Sequence, residues 1–330
     1  MRVVWLTRFG DPSVLVPGEA PDPAPGPGQA LVDVAYANIT FIETMFRARG
    51  FGPFKGEFPM VPGNGVGGVV SAVGDGVDPE LVGTRVVTST GGSGGYASRV
   101  AVDAAGLVPV PDGLDLDVAV ALLADGRTAL LLIRAAAPKP GERVLVEAAA
   151  GGVGTLLVQL AKAAGATVTG AAGAAKLELV RSLGADRVVD YTADGWSAAV
   201  GPVDVVFDGV GGTVARAAFD LLDRGGRMIS YGLSSGAWSD VTDEQAAARG
   251  VTLLRGANGT PEELRALTAE ALRLAADGRL TPVIGQRFPL ERAADAHAAI
   301  EARSTVGKTL LLVGEPVGEG RAAQDGTGPR

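Results

Sequence analysis

Residues 143–154 read Arg-Val-Leu-Val-Glu-Ala-Ala-Ala-Gly-Gly-Val-Gly, an apolar run followed at once by glycines. A helical pattern continues from residue 153 to 164, and a second strand-like segment comes after it. Strand, glycine turn, helix and strand is the context of the dinucleotide fingerprint G-x-G-x-x-G, here with Ala149 in the first glycine position. Gly151 would let the backbone approach a pyrophosphate, and Gly154 would let helix and strand pack closely. We predict a dinucleotide site here; the alternative is a structural tight turn.

The chain divides into regions with different sequence patterns. Residues 1 to about 120 are β-rich, because short apolar runs alternate with glycine- and proline-rich turns. From residue 125 to about 259, strand-like and helix-like segments alternate, which indicates a parallel sheet with crossover helices. Two helices and a last strand follow up to residue 313, and we predict that the tail, 314–330, is disordered. The fold class is therefore α/β.

Composition excludes several functions. The chain has 330 residues, 47% of them apolar and 20% charged, which is typical of a globular protein. A net charge of −8 argues against a nucleic-acid surface, and no apolar segment is long enough to span a membrane. With no Cys and one His, the chain lacks an ordinary zinc-ligand set. Because no secretory pattern follows Met1, we expect a cytoplasmic protein.

The second strand of the fingerprint indicates which nicotinamide cofactor binds. NAD sites usually carry an acidic residue about 20 residues after the glycines, where it holds the ribose hydroxyls. Residues 163–177 contain no acid, and Lys176 lies at the end of this segment. An ammonium group there favours a 2′-phosphate, so we predict NADPH rather than NADH. The alternative is that Lys176 is an ordinary solvated residue.

The order of motifs resembles that of the medium-chain dehydrogenase/reductase superfamily and, within it, the zinc-free quinone oxidoreductases. The matching stretches cover almost the whole chain: 41–44 with Arg47 and Gly50, 62–63, 67–70, 148–154, 183–186, 204–212, 225–227, 231–232 and 307–308. The resemblance implies a GroES-like β-barrel catalytic domain at 1–124, a Rossmann NADPH-binding domain at 125–259, and a segment at 260–313 that returns to the first domain. Cofactor and substrate would lie in the cleft between the domains.

The resemblance also accounts for the missing metal. Zinc-bearing relatives place their catalytic ligands at positions that correspond here to Thr40, Asn64 and Ala124. None of these side chains replaces a thiolate or an imidazole. We therefore expect no metal.

Carried over by position, the resemblance implies a set of cofactor contacts. Thr128 would meet the nicotinamide end, and Lys308 would reach the cofactor from the returning segment. The remaining contacts are Gly151, Gly152, Val153 and Gly154 at the pyrophosphate, Gly173, Lys176 and Tyr191 at the adenosine phosphate, and Asp208, Val210, Gly232, Leu233 and Ser234 along the exposed edge. The chain departs from its relatives at Gly173, where they often carry a hydroxyl residue, and at Thr40 and Glu43, where they often carry Asn and Asp.

Hydride transfer without zinc suits a quinone or an α,β-unsaturated carbonyl, because conjugation spreads the developing charge and a hydrogen bond can stabilise it. Candidate donors are Thr40, Asn38, Arg47 and Arg127, and each has an alternative role as a capping, turn or solvated residue. Arg127 could instead pair with Asp125 at the domain crossover. We interpret Tyr96 as a packed strand residue rather than a proton donor, and His297 as a packed or solvated helix residue rather than a catalytic one. 

Three functions remain open. The first is an NADPH-dependent quinone or enone reductase, the second a pathway-specific enoyl or polyene reductase, and the third an NADPH-binding protein with little turnover. We expect a homodimer, from the resemblance and because the apolar segment from residue 251 to 254 would form an exposed sheet edge.

Overall fold

A β-structure with glycine turns occupies the first third of the chain. The computed structural model describes residues 1–255 and 259–314, so most of the predicted tail lies outside the described residues. The elements of this first part are β1 (Arg2–Leu6), β2 (Leu15–Glu19), β3 (Gln29–Ile39), α1 (Phe41–Arg49), β4 (Gly65–Val73), β5 (Arg85–Ser89), β6 (Arg99–Asp103) and β7 (Val108–Pro109). Strand β3 is central, because it pairs with both β4 and β6.

The alternating segments form the second part. Its elements are α2 (Leu116–Ala136), β8 (Arg143–Val146), α3 (Gly152–Ala163), β9 (Thr167–Ala172), α4 (Leu177–Ser182), β10 (Arg187–Asp190), β11 (Val203–Asp208), α5 (Gly212–Phe219), β12 (Leu222–Ser230), α6 (Asp243–Arg249) and β13 (Thr252–Arg255). The strand order is β10-β9-β8-β11-β12-β13, and every neighbouring pair is parallel. The chain reverses its winding between β8 and β11, which is where ligands bind in sheets of this class.

The last part comprises α7 (Pro261–Ala276), β14 (Ile284–Pro289), α8 (Ala293–Glu301) and β15 (Lys308–Leu312). Strand β15 pairs antiparallel with β3, so it joins the sheet of the first part. Just before β15, the N–H of Gly307 donates to the carbonyl of Ala150 at 2.8 Å. The returning segment therefore contacts the glycine turn directly.

Helix α2 connects the two sheets. It packs on β3, β4 and β5 on one side and on α3 and α7 on another, and most of its side chains are buried. The boundary predicted between residues 124 and 125 falls inside this continuous helix. Across the described ranges, no helix has both the length and the apolarity to cross a bilayer. The predicted α/β class, with a parallel doubly wound sheet beside a β domain, is confirmed.

Candidate active site

A cleft of about 520 Å³ lies between the carboxyl ends of the parallel strands and the first domain. Most of the predicted site residues line it. They are Thr40, Arg127, Thr128, Gly151, Gly152, Val153, Gly154, Gly173, Lys176, Tyr191, Gly232, Leu233, Ser234 and Lys308.

The glycine turn packs as tightly as the fingerprint predicts. A Cβ atom on Gly154 would lie 2.2 Å from the carbonyl oxygen of Ala148, so only glycine lets α3 approach β8 this closely. Gly151 precedes the first residue of α3, and no side chain caps the helix. The free N–H groups of a helix N-terminus bind phosphates well. The turn can therefore hold a pyrophosphate.

Two cationic side chains, Lys176 and Arg303, lie close together on the cleft wall. The Lys176 ammonium donates to the carbonyls of Arg303 and Thr305, at 2.8 Å each. The Arg303 guanidinium also lines the cleft and lies 4.6 Å from the centre of the Phe41 ring. Burial lowers the pKa of Lys176, and the nearby charge of Arg303 lowers it further. Two cations that repel each other at a cleft wall form a site for an anion.

Lys308 does not point freely into the cleft. Its ammonium donates to a carboxylate oxygen of Asp125 at 2.9 Å, and both side chains are almost fully buried. The pair links β15 to α2. The sequence suggests an ion pair between Asp125 and Arg127 at the domain crossover. Asp125 pairs with Lys308 instead, because β15 brings the Lys308 ammonium next to α2.

The hydroxyl of Thr40 is already engaged. It donates to Glu43 at 2.6 Å, and the Thr40 N–H donates to the same carboxylate oxygen at 2.7 Å. The other oxygen of Glu43 accepts the N–H of Asn64 at 3.0 Å. The Thr40 hydroxyl is therefore paired with Glu43, whose pKa is raised by burial. A hydrogen bond from Thr40 to substrate stays a prediction.

A buried pair lies behind Glu43. The Tyr96 hydroxyl is 2.8 Å from Nε2 of His297, and both residues are almost fully buried. Burial raises the pKa of Tyr96, and the charge of Glu43 raises it further. Burial, helped by the charge of Arg47, lowers the pKa of His297 to about 3. His297 is therefore neutral, and the interpretation of both residues as packed agrees with their contacts.

Asn38 and Arg47 lie away from the cleft wall. Asn38 is fully buried in β3, beside Gly65 and Leu123. The Arg47 guanidinium is buried as well, and it donates to the carbonyl of Gly10 and to the carboxylate of Glu301. Arg47 thus joins α1 to α8. Both predicted donors need correction, because strand and helix packing turn them into the interior.

Arg127 is the predicted donor that stays available. Its side chain is half-buried on α2 and lines the cleft. Across residues 1–255 and 259–314, its guanidinium forms neither a hydrogen bond nor an ion pair. Burial lowers the pKa of Arg127, and the charge of Asp125 opposes that shift. A cation with free N–H groups can stabilise negative charge on a bound oxygen.

Asp208 and Val210 also lie behind the wall, with Gly209 between them exposed to the cleft. Asp208 Oδ1 accepts the N–H groups of Val210 and Gly211, at 3.1 and 2.7 Å. The prediction that Asp208 and Val210 touch the cofactor themselves therefore needs correction. The aspartate holds its own loop, and Gly209 forms the surface.

The residues at the three positions that carry zinc ligands in zinc-bearing relatives do not suit a metal here. Thr40, Asn64 and Ala124 do lie together on the cleft wall, as the family alignment of motifs implies. They supply a hydroxyl that donates to Glu43, an amide and a methyl group, which are not the soft or imidazole ligands of zinc. Within the described residues, no group of three or more His, Asp or Glu side chains could hold a metal ion.

Sequence reasoning missed part of the cleft. Arg303 is the main omission, since it is 127 residues from Lys176 and carries no motif of its own. The one sequence signal that could have identified Arg303 is its position just before the Gly307-Lys308 motif. Tyr231 and Trp238 also line the cleft.

Known proteins match this chain over nearly its full length. A family described as "Alcohol dehydrogenase GroES-like domain" matches residues 26–112, and one described as "Zinc-binding dehydrogenase" matches residues 183–311. A quinone oxidoreductase from Pseudomonas aeruginosa is 33% identical over 322 residues, covering 94% of this chain and 98% of that protein. A 2-haloacrylate reductase from a Burkholderia species is 33% identical, covering 93% and 97%.

A solved structure also resembles this chain over nearly its whole length. The crystal structure of Escherichia coli quinone oxidoreductase complexed with NADPH has a TM-score of 0.86 and 31% identity, and it covers 94% of this chain and 100% of that one. The predicted resemblance is confirmed, and the chain belongs to the quinone oxidoreductase family of the medium-chain dehydrogenases and reductases.

Proposed function

We propose that this protein is an NADPH-dependent, metal-free oxidoreductase that reduces a quinone or an α,β-unsaturated carbonyl in the cleft between its domains. The observation that carries the proposal is the cleft itself, which is lined by a glycine turn at a helix N-terminus, by the cations Lys176 and Arg303, and by Arg127, whose guanidinium has no partner in the described part of the chain. The relatives named quinone oxidoreductase, one of them solved with NADPH, support the same activity.

The adenosine end selects NADPH. Lys176 and Arg303 supply positive charge where a 2′-phosphate would lie, and Tyr191 lines the same end of the cleft. A Cβ atom on Gly173 would meet nothing within 4 Å, so the wall is open there. Because residues 163–177 contain no acid, the position that holds the ribose hydroxyls in NAD sites carries no carboxylate that would repel the phosphate. The pyrophosphate would rest on residues 151–154.

The substrate end stabilises charge without a metal. NADPH supplies a hydride, and the protein supplies orientation and a partner for the negative charge that develops on the substrate oxygen. Arg127 is the side chain we assign to that role. Thr40, whose hydroxyl donates to Glu43, shapes the wall and offers an acceptor to a substrate hydroxyl. The Lys308–Asp125 pair holds the two walls together.

Two other functions are separable by experiment. The 2-haloacrylate reductase among the relatives favours conjugated acids and carbonyls as a second substrate class. A pathway-specific enoyl or polyene reductase, or an NADPH-binding protein with little turnover, would use the same cleft. NADPH oxidation should be measured with simple quinones, small enones and long polyenes. Turnover on quinones or small enones supports the proposal; turnover on polyenes alone, or binding without turnover, contradicts it.

Metal removal tests the chemistry at the substrate end. Because the cleft side chains are not zinc ligands, we expect extensive dialysis against a chelator to leave quinone reduction unchanged. Activity and bound metal should be measured on the same samples. A loss of activity that added zinc restores would contradict the assignment.

We also propose a homodimer that works in the cytoplasm on a small molecule, without nucleic-acid or membrane partners. Strand β13 is the outer strand of the parallel sheet, and its edge carries partly buried Leu253 and Leu254. Pairing with a second copy would cover that edge. A monomer in light scattering at micromolar concentration would contradict the dimer.

A further inference from the structure

Two carboxyl groups are buried side by side at the ends of neighbouring strands. Glu147 directly follows β8, and Asp208 is the last residue of β11. The strands are parallel and in register there, since the N–H of Glu147 donates to the carbonyl of Phe207 at 3.0 Å. Both side chains are 0% exposed. Both oxygens of Glu147 and the Oδ2 atom of Asp208 have no donor group to pair with among the described residues.

The surroundings do not balance two negative charges. Neither carboxylate forms an ion pair with any cation in the described ranges. Tyr231 after β12 interacts with both carboxylates and Tyr191 after β10 interacts with Glu147, and neither tyrosine is cationic. The nearby cations have other partners: Lys308 is paired with Asp125, and Arg303 stacks on Phe41. Two adjacent buried carboxylates without a cation cannot both remain ionised, because desolvation and mutual repulsion oppose the second charge. Because Phe207 lies opposite Val146 in the register of the two strands, Glu147 and Asp208 occupy adjacent positions at the strand ends.

We propose that Glu147 keeps its proton and donates it in a hydrogen bond to Asp208, and that this shared proton fixes the loop that forms one wall of the cofactor cleft. Asp208 then remains a carboxylate, with Oδ2 facing Glu147 and Oδ1 accepting the N–H groups of Val210 and Gly211. Glu147 is thus a positioning residue, which acts through Asp208 rather than by touching the cofactor.

The loop has little freedom to move without disturbing the wall. Gly209 and Gly232 both line the cleft, and a Cβ atom on Gly232 would lie 2.6 Å from the carbonyl oxygen of Gly209. A Cβ atom on Gly209 would lie 2.6 Å from the Tyr231 hydroxyl. The wall segments therefore pack against each other through backbone. This role rests on the proposed function, which places NADPH against the same wall.

Burial and the neighbouring charge of Asp208 raise the pKa of Glu147 well above its ordinary value. The folded protein therefore holds a proton that the unfolded chain releases above about pH 4.5, the ordinary range of glutamate. Stability from this proton is fully present below that pH and is lost as pH rises towards the folded-state pKa. Over that window, the folding equilibrium constant falls by up to about tenfold for each pH unit.

The first experiment measures this proton. Denaturant unfolding of the full chain should be followed across neutral and alkaline pH for wild type, Glu147→Gln and Glu178→Gln. The Gln amide donates to Asp208 without titrating, so E147Q should lack the extra loss of stability with rising pH. E178Q, at an exposed glutamate that pairs with Arg181, should behave like wild type. Asp208→Asn removes the neighbouring charge but leaves Glu147 buried, so its loss of stability with rising pH should lie between those of wild type and E147Q. Equal pH slopes for wild type and E147Q would overturn the shared proton.

The second experiment tests the positioning role by titrating NADPH at neutral pH. E147Q keeps the donor, so its dissociation constant should stay within about twofold of wild type. Glu147→Leu leaves the Oδ2 atom of Asp208 without a donor, so the dissociation constant of NADPH should rise about tenfold while kcat at saturation changes little. Weak binding by a folded E147Q, or wild-type binding by E147L, would overturn the positioning role. If wild type itself fails to bind NADPH while the pH slopes differ as predicted, the proposed function fails and the shared proton stands.

Discussion

The polar groups on the two sides of the cleft differ in whether they already have hydrogen-bond partners. On the parallel-sheet side, the glycine turn and the N-terminus of α3 leave backbone donors facing the cleft. On the β-domain side, two pairs of polar side chains are bound to one another: Thr40 with Glu43, and Tyr96 with His297. A polar residue next to a site is therefore available to a ligand only if the fold has not already given it a partner. Arg127 meets that condition, and it lies on the helix between the two sides.

The largest effect should come from breaking the sheet side at Gly154. Gly154→Ala places a methyl group against the Ala148 carbonyl and forces α3 away from β8. Overpacking against backbone should lower the free energy of unfolding by about 3 kcal/mol, and the displaced donors should weaken NADPH binding. Denaturant unfolding and NADPH titration measure both effects. Gly173→Ala is the control for stability, because a methyl group there meets nothing within 4 Å. Equal stability of the two variants would refute the close packing.

The next effect tests whether Arg127 is the free donor of the substrate end. Arg127→Leu should lower kcat/KM for a quinone by about 100-fold, since a charge-stabilising donor is lost. The dissociation constant of NADPH should stay within about twofold, because the phosphate contacts that we propose are made by residues 151–154, Lys176 and Arg303. Arg134→Leu, on the same helix but exposed and paired with Glu270, serves as the control. Unchanged kinetics in R127L would show that Arg127 does not stabilise the negative charge on the substrate oxygen.

A smaller effect is expected at the adenosine end. Arg303→Leu should lower NADPH affinity by about tenfold, because one charge-assisted phosphate contact is lost. NADH affinity should hold, since that cofactor lacks the phosphate. Arg181→Leu, an exposed arginine paired with Glu178, is the matched control. Lys176→Asp should lower NADPH affinity at least as strongly, since it also adds repulsion. Equal losses for both cofactors would show that Arg303 does not bind the 2′-phosphate.

The smallest effect concerns the buried pair on the β-domain side. The pKa of His297 is lowered to about 3, so the unfolded chain takes up a proton at this residue before the folded protein does. Stability from the neutral imidazole is present above the unfolded pKa and is lost as pH falls. Between about pH 6.5 and about pH 5.5 this loss should be about 1 kcal/mol, and His297→Gln should lack it. Parallel acid unfolding curves for the two proteins would contradict a buried neutral imidazole.

The parts of the site that the sequence predicts lie close together along the chain, whereas the parts that it does not predict come from distant segments. The glycine turn, its helix and its strands lie within 30 residues, so spacing alone indicates their arrangement. Asn38 and Arg47 were misassigned because strand direction and helix packing decide whether a side chain faces the cleft. Arg303 was missed because α8 and the segment after it return from the far end of the sequence. The Glu147–Asp208 pair depends on two strands 61 residues apart that become neighbours only in the sheet.

Sequence by itself determined the α/β class, the dinucleotide turn at 149–154, the absence of an acid from residues 163–177 and the family. These features depend on local spacing and composition, which the chain carries before it folds. Tertiary structure alone decided which polar groups remain free: Thr40 donates to Glu43, Lys308 pairs with Asp125, and Arg127 stays without a partner in the described part of the chain. Hydrogen-bond and ion-pair partners come from distant segments, and a buried polar group needs a partner wherever the fold provides one. The availability of each candidate residue is therefore a property of the packed molecule.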